Sequence, residues 1–164
     1  MSRAFVKEND LEHAGIDIPE RPISAEPNYV TPSGLYLLKT QLTALENDLQ
    51  QIKQKDDQQS QQIKFKIERD IRYTLARLES AILIKPENQS SEKILFGATV
   101  YLEDDEGKNY QFKIVGEDEA DIKNNKLSYV APLSKQLIGR EVGDEIIWTK
   151  ASETIHLTIT NFKY

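Results

Sequence analysis

The sequence predicts an α+β fold: two N-terminal helices followed by a small antiparallel sheet with one short helix. Three observations carry this. Apolar residues recur at helical spacing over 35–52 and again over 63–82. A wholly polar stretch at 55–62 separates the two series. From residue 94 the apolar period falls to two, with turn residues between the runs.

The first helix has a clear start, with Thr31 as N-cap and Pro32 in the first helical position. Leu35, Leu38, Leu42, Leu45, Leu49 and Ile52 follow at spacings that alternate three and four, a heptad seam. The second series is Ile63, Ile67, Ile71, Leu75, Leu78 and Ile82, closed by Lys85-Pro86. An antiparallel coiled-coil hairpin over 31–85 is expected, with its tip near 55–61. The alternative is one long helix that dimerises with a second copy. Residues 1–30 are expected to be an extended tail, because Pro19, Pro22 and Pro27 interrupt any helix. Phe5, Val6, Ile16 and Ile18 are the residues that can clip this tail onto the folded body.

The sheet domain is placed at 94–164. Strands are expected over 95–102, with Gly97 inside, over 110–115 after the turn Asp104-Asp105-Glu106-Gly107, and over 127–130. A short helix opens at Pro132 and closes at Gly139. A last hairpin pairs 145–149 with 154–162, where Ile155, Leu157 and Ile159 alternate with His156, Thr158 and Thr160.

Composition excludes several classes. There is no cysteine, so disulfide scaffolds and thiolate chemistry are out. The two histidines, His13 and His156, lie far apart in sequence. No apolar run approaches the ~18 residues of a membrane span, and the first residues lack a secretory apolar stretch. A cytoplasmic protein that uses no membrane is expected. The net charge of −6 argues against general duplex DNA binding. No phosphate loop, Ser/His/Asp set or dinucleotide fingerprint occurs.

Chemistry is offered at the hairpin tip. Asp56 and Asp57 are adjacent acids that can hold one Mg²⁺, or merely form a solvated helix break. Nearby Lys53, Lys55, Lys64, Lys66, Arg69 and Arg72 can touch a nucleic-acid backbone or an acidic protein channel, or merely solvate the hairpin. Glu68 and Arg72 form an i,i+4 pair. Phe65 and Tyr73 can stack on a base or pack on the opposite helix. Asp118, Glu119 and Asp121 make a loop acid cluster, Trp148 is read as core or a sheet-face anchor, and His156 as surface.

Several strings together resemble the GreA/GreB transcription elongation factors. They are Thr31-Pro32-Ser33-Gly34-Leu35, Phe96-Gly97-Ala98-Thr99-Val100, and Ile114-Val115-Gly116-Glu117-Asp118-Glu119-Ala120-Asp121. Ala131-Pro132-Leu133, Leu137-Ile138-Gly139 and Val142-Gly143-Asp144 continue the match, which covers about 29–164. The resemblance implies an FKBP-like C-terminal domain that docks on the rim of the RNA polymerase secondary channel, with Val130, Ala131 and Pro132 in the docking loop. It implies a monomer whose hairpin enters the channel and meets nascent RNA or DNA only within the polymerase complex. In the family an acidic tip helps place Mg²⁺ shared with the polymerase, which itself cleaves the backtracked transcript; no tightly bound cofactor and no catalytic residue of the factor's own are implied.

The family's Gly-Asp-x-x-Glu-Asn-type tip is absent here, Val130 stands where some members have an acid, and the arm is shorter, similar to that of the Gre-related protein Rnk. The expected function is therefore a channel-binding elongation regulator with weak or no cleavage stimulation. The alternatives are a cleavage factor using Asp56 and Asp57, an FKBP-like prolyl isomerase, and an interaction module that dimerises through its helices.

Overall fold

The computed structural model describes residues 18–164. Phe5, Val6 and Ile16, named above as clips for the tail, lie outside the described residues. The chain divides into two compact units. One holds the arm up to Glu26 together with Leu38–Ser80; the other holds Pro27–Leu37 and Ala81–Tyr164.

The first unit contains most of helix α1 (Pro32–Ile52) and all of α2 (Gln58–Ser80). At 1.5 Å per residue they are about 32 and 35 Å long. The heptad seam of α1 is the less exposed side: Leu38 is buried, and Leu42, Leu45, Leu49 and Ile52 are half-buried. The break between the helices is 53–57, shorter than the polar run suggested, because Gln58–Gln62 are already helical.

The expected seam of α2 is corrected. Ile67, Ile71 and Leu78 are half-buried, but Ile63 and Leu75 are 42% and 48% exposed. Steps of four advance ~40° around a helix, so a run of fours cannot stay on one face. The buried residues are Ser60, Thr74 and Arg77. Thr74 satisfies its hydroxyl by donating to the Asp70 carbonyl at 2.8 Å.

Helix α2 also ends earlier than Lys85-Pro86. It stops at Ser80, and Ile82–Leu83 forms strand β2, paired in parallel with β1 (Tyr29–Val30). Residues 29–30 are thus strand rather than tail. Pro86 opens a 3₁₀ turn (Pro86–Asn88).

The second unit carries a five-stranded sheet. Its strands are β3 (Thr99–Asp104), β4 (Asn109–Val115), β5 (Lys126–Ser128), β6 (Glu145–Lys150) and β7 (Glu153–Lys163). Their order across the sheet is β5-β4-β3-β7-β6. Helix α3 (Pro132–Leu137) follows β5. The first strand was expected from residue 95; it begins at Thr99, because Gly97 takes φ +89° and breaks the extended run. The sheet is also not wholly antiparallel. β4 and β5 pair in parallel, because the chain from 116 to 125 crosses back before β5 begins.

Val100, Leu102, Ile114, Leu137, Leu157 and Ile159 are fully buried in the core. A bulge opposite Tyr101 and Leu102 changes the parity of β7. Before it Ile155, Leu157 and Ile159 point to the core; beyond it Phe162 and Tyr164 do. Thr160 is the extra residue, and its hydroxyl donates to the Tyr101 carbonyl at 3.1 Å.

Candidate functional site

At the helix junction, Asp57 is the N-cap of α2. One carboxylate oxygen accepts the Ser60 backbone N–H at 2.9 Å and the other accepts the Ser60 hydroxyl at 2.6 Å. The hydroxyl donation, with the backbone one behind it, holds the Asp57 carboxyl below its ordinary value. Both oxygens therefore serve the helix end. Asp56 is exposed beside it, with Lys53 and Lys55. Mg²⁺ keeps several waters and is held through one or two carboxylates, so an exposed Asp56 can supply at most one of its six oxygen ligands. Among the described residues no group of three or more His, Asp or Glu side chains is gathered as a metal site.

The remaining predicted contact residues lie along α2 and differ in state. Lys64 is half-buried and Lys66 exposed. Arg69 donates to the Asp70 carboxylate beside it, at 3.0 and 3.1 Å. Arg72 feels the charge of Glu68, its i,i+4 neighbour. Its guanidinium bonds to the carboxylate of Glu20, from the N-terminal arm, in a two-point bond whose Nε branch is 3.2 Å. That donation lowers the Glu20 pKa and raises that of Arg72. Next to it Arg21 places its guanidinium 3.7 Å from the Tyr73 ring centroid, and 3.6 Å from the Asp70 carboxylate.

In the sheet unit, the expected docking loop is a tight turn. The Ala131 N–H donates to the Ser128 carbonyl at 3.0 Å, and the Val130 N–H to the Ser128 hydroxyl at 3.3 Å. Pro132 opens α3, where its missing N–H costs nothing, and it is exposed. Ala131 and Pro132 form part of the wall of a cavity of about 570 Å³. Tyr110, Phe112 and Trp148 are among its other walls, and Val130 is not. The Trp148 ring stands edge-on to Tyr110 and Phe112, with centroids 5.6 and 5.5 Å away. Trp148 is thus a sheet-face anchor, while His156 is exposed on β7.

The acid cluster is built into the fold. Glu119 is buried and accepts a hydrogen bond from the Thr31 hydroxyl; Lys126 Nζ lies 3.6 Å from its other oxygen. Asp121 caps the 3₁₀ turn Ile122–Asn124, accepting from the Lys123 N–H at 3.2 Å and the Asn124 amide at 2.6 Å. Sequence reasoning missed the cavity and the Glu20–Arg72 pair, since both join residues far apart in the chain. Among the described residues no helix is long and apolar enough to cross a membrane.

The family described as "Transcription elongation factor, GreA/GreB, C-term" matches residues 89–164. Transcription elongation factor GreB of Neisseria meningitidis serogroup B is 33% identical over 153 residues, covering 84% of this chain and 94% of that protein. Transcription elongation factor GreA of Zymomonas mobilis is 46% identical over 70 residues, 43% of this chain and 44% of that protein. The solved structure of the GreA factor homolog 1 protein of Thermus thermophilus aligns over 85% of this chain and 100% of that one, at 24% identity and a TM-score of 0.42. Because the Neisseria match runs through the helices and the sheet alike, the chain belongs to the GreA/GreB family of transcription elongation factors.

Proposed function

We propose that this chain is an accessory regulator that binds core RNA polymerase at its secondary channel and modulates elongation, pausing or backtracking. The single observation that carries this is the near full-length similarity to a GreB elongation factor. In this reading the sheet unit is an FKBP-like docking module, and exposed Pro132, beside the aromatic cavity, is its contact point. Helices α1 and α2 form an antiparallel hairpin that enters the channel with Asp56, Lys53 and Lys55 at its end. Any bond broken in the transcript is broken by the polymerase. The factor acts as a monomer in the cytoplasm and meets nucleic acid inside the polymerase complex.

Channel occupation is favoured over metal delivery because the family's Gly-Asp-x-x-Glu-Asn-type tip is absent from the sequence. Asp57 also serves as the cap of α2, bonded to Ser60 through both oxygens. The similarity to an elongation factor does not favour the prolyl-isomerase alternative. The test is transcript cleavage in a backtracked polymerase complex, with a cleavage factor as competitor. The expected result is inhibition of the competitor with little cleavage by the chain itself, weakened by Pro132→Ala. Absence of binding to core polymerase at micromolar concentration refutes the proposal.

A further inference from the structure

The N-terminal arm is fastened to α2 by two adjacent side chains of opposite charge. Glu20 gives its carboxylate to Arg72, while the flat guanidinium of Arg21 covers the ring of Tyr73 and reaches Asp70. Ile18 faces the start of α2 across a cavity whose other walls are Gln59, Gln62, Ile63 and Lys66. The arm therefore runs along α2 from Tyr73 back toward the start of the helix. It occupies Arg72, one of the cations expected to meet a partner.

The pair Glu20-Arg21 presents to α2 an anionic group bonded at two points to an arginine, and beside it a planar group stacked on an aromatic ring. A single-stranded nucleic acid presents the same two things, a phosphate and a base. We propose that residues 18–26 are a self-occluding strap: they sit on the Arg72–Tyr73 face of α2 in place of a single-stranded nucleic acid, which gains that face only when the strap lifts. The strap is suited to lifting. The Glu20–Arg72 pair is more than half exposed on both sides, so water and salt weaken it. Pro19, Pro22 and Pro27 keep the arm extended, without a helix that must unfold before it leaves.

The test uses the full chain without polymerase, so its outcome is separate from that of the docking assay. A labelled oligouridylate is titrated at low ionic strength and followed by anisotropy. Glu20→Gln with Arg21→Gln releases the strap without changing net charge, so a gain in affinity is not a general charge effect. The released chain is expected to bind roughly tenfold more tightly than the native one. Arg72→Gln is expected to change little in the native chain, where Glu20 holds that guanidinium, and to erase the gain in the released chain. Equal binding by native and released chains overturns the proposal, as does a gain that survives Arg72→Gln. Glu20→Gln alone, which frees Arg72, is the second route if the double variant melts early; its gain supports the strap only if Glu26→Gln, the same charge change away from Arg72, shows none.

Discussion

The hydroxyl of Thr31 joins two distant parts of the sequence. It accepts the Gly34 N–H at 3.0 Å, capping α1, and donates to the carboxylate of Glu119, 88 residues away. Both residues are buried, so neither group has water as a substitute. The first turn of α1 is thereby tied to the loop after β4. Thr31→Ala is expected to cost about 2–3 kcal/mol, from the lost cap and from a buried carboxylate deprived of a donor. Thr31→Ser, which keeps the hydroxyl, is expected to remain within about 1 kcal/mol of native. Urea unfolding at neutral pH measures both, and equal losses for the two variants contradict the shared role of the hydroxyl.

Two glycines are graded by what a methyl group would meet. A Cβ at Gly34 would lie 2.8 Å from the Glu119 carboxylate, the end of a side chain rather than backbone. At Gly116 it would lie 2.3 Å from the Tyr29 carbonyl, which β1 holds in place. Gly34→Ala is expected to cost about 1–3 kcal/mol and Gly116→Ala more. Thermal melts of the two variants give the order; a milder Gly116→Ala contradicts it.

The two tip acids separate by role. Asp57→Ala is expected to lower helix content and the melting temperature by a few degrees, whereas Asp56→Ala leaves both unchanged. The Asp57 carboxyl has a lower pKa in the folded chain than in the unfolded one. Its stabilisation is thus present above the ordinary carboxylate range and is lost as pH falls through the folded value. The gap between native chain and Asp57→Ala therefore closes on acidification. Circular dichroism melts across that range check it, and a gap independent of pH rules the cap out as its source.

At the C-terminus, the Tyr164 hydroxyl accepts the Leu95 N–H at 3.1 Å and donates to the Lys93 carbonyl at 2.8 Å. Tyr164→Phe leaves that N–H without its acceptor and is expected to cost about 1–2 kcal/mol. Hydrogen exchange at Leu95 is the direct readout, and it rises sharply in the variant. Unchanged exchange would mean that the hydroxyl does not hold this amide.

Features set by near neighbours in the chain are legible in the residues themselves. Thr31-Pro32 starts a helix because the cap and its N–H partner are three residues apart. Pro132 and Gly139 bound α3 for equally local reasons. The Ala131-Pro132 start of α3 is legible in the sequence, but not the aromatic cavity beside it, whose walls come from residues 110 to 150. Asp57 stands out in the sequence as an acid. Its commitment to Ser60 does not, because a cap and a metal ligand demand the same residue type.

Periodicity, caps and motifs are properties of short stretches, so the α+β class, the start of α1, the short α3 and the family are readable from the residues alone. Tertiary structure decided which side of α2 is buried, since apolar spacing alone cannot say where a neighbour lies. It decided that β5 runs parallel to β4, and that a bulge at Thr160 turns Phe162 and Tyr164 inward. It also decided that Glu20 and Arg21 cover Arg72 and Tyr73. Each of these is a meeting of residues distant in the chain, and such meetings are fixed by packing rather than by local propensity.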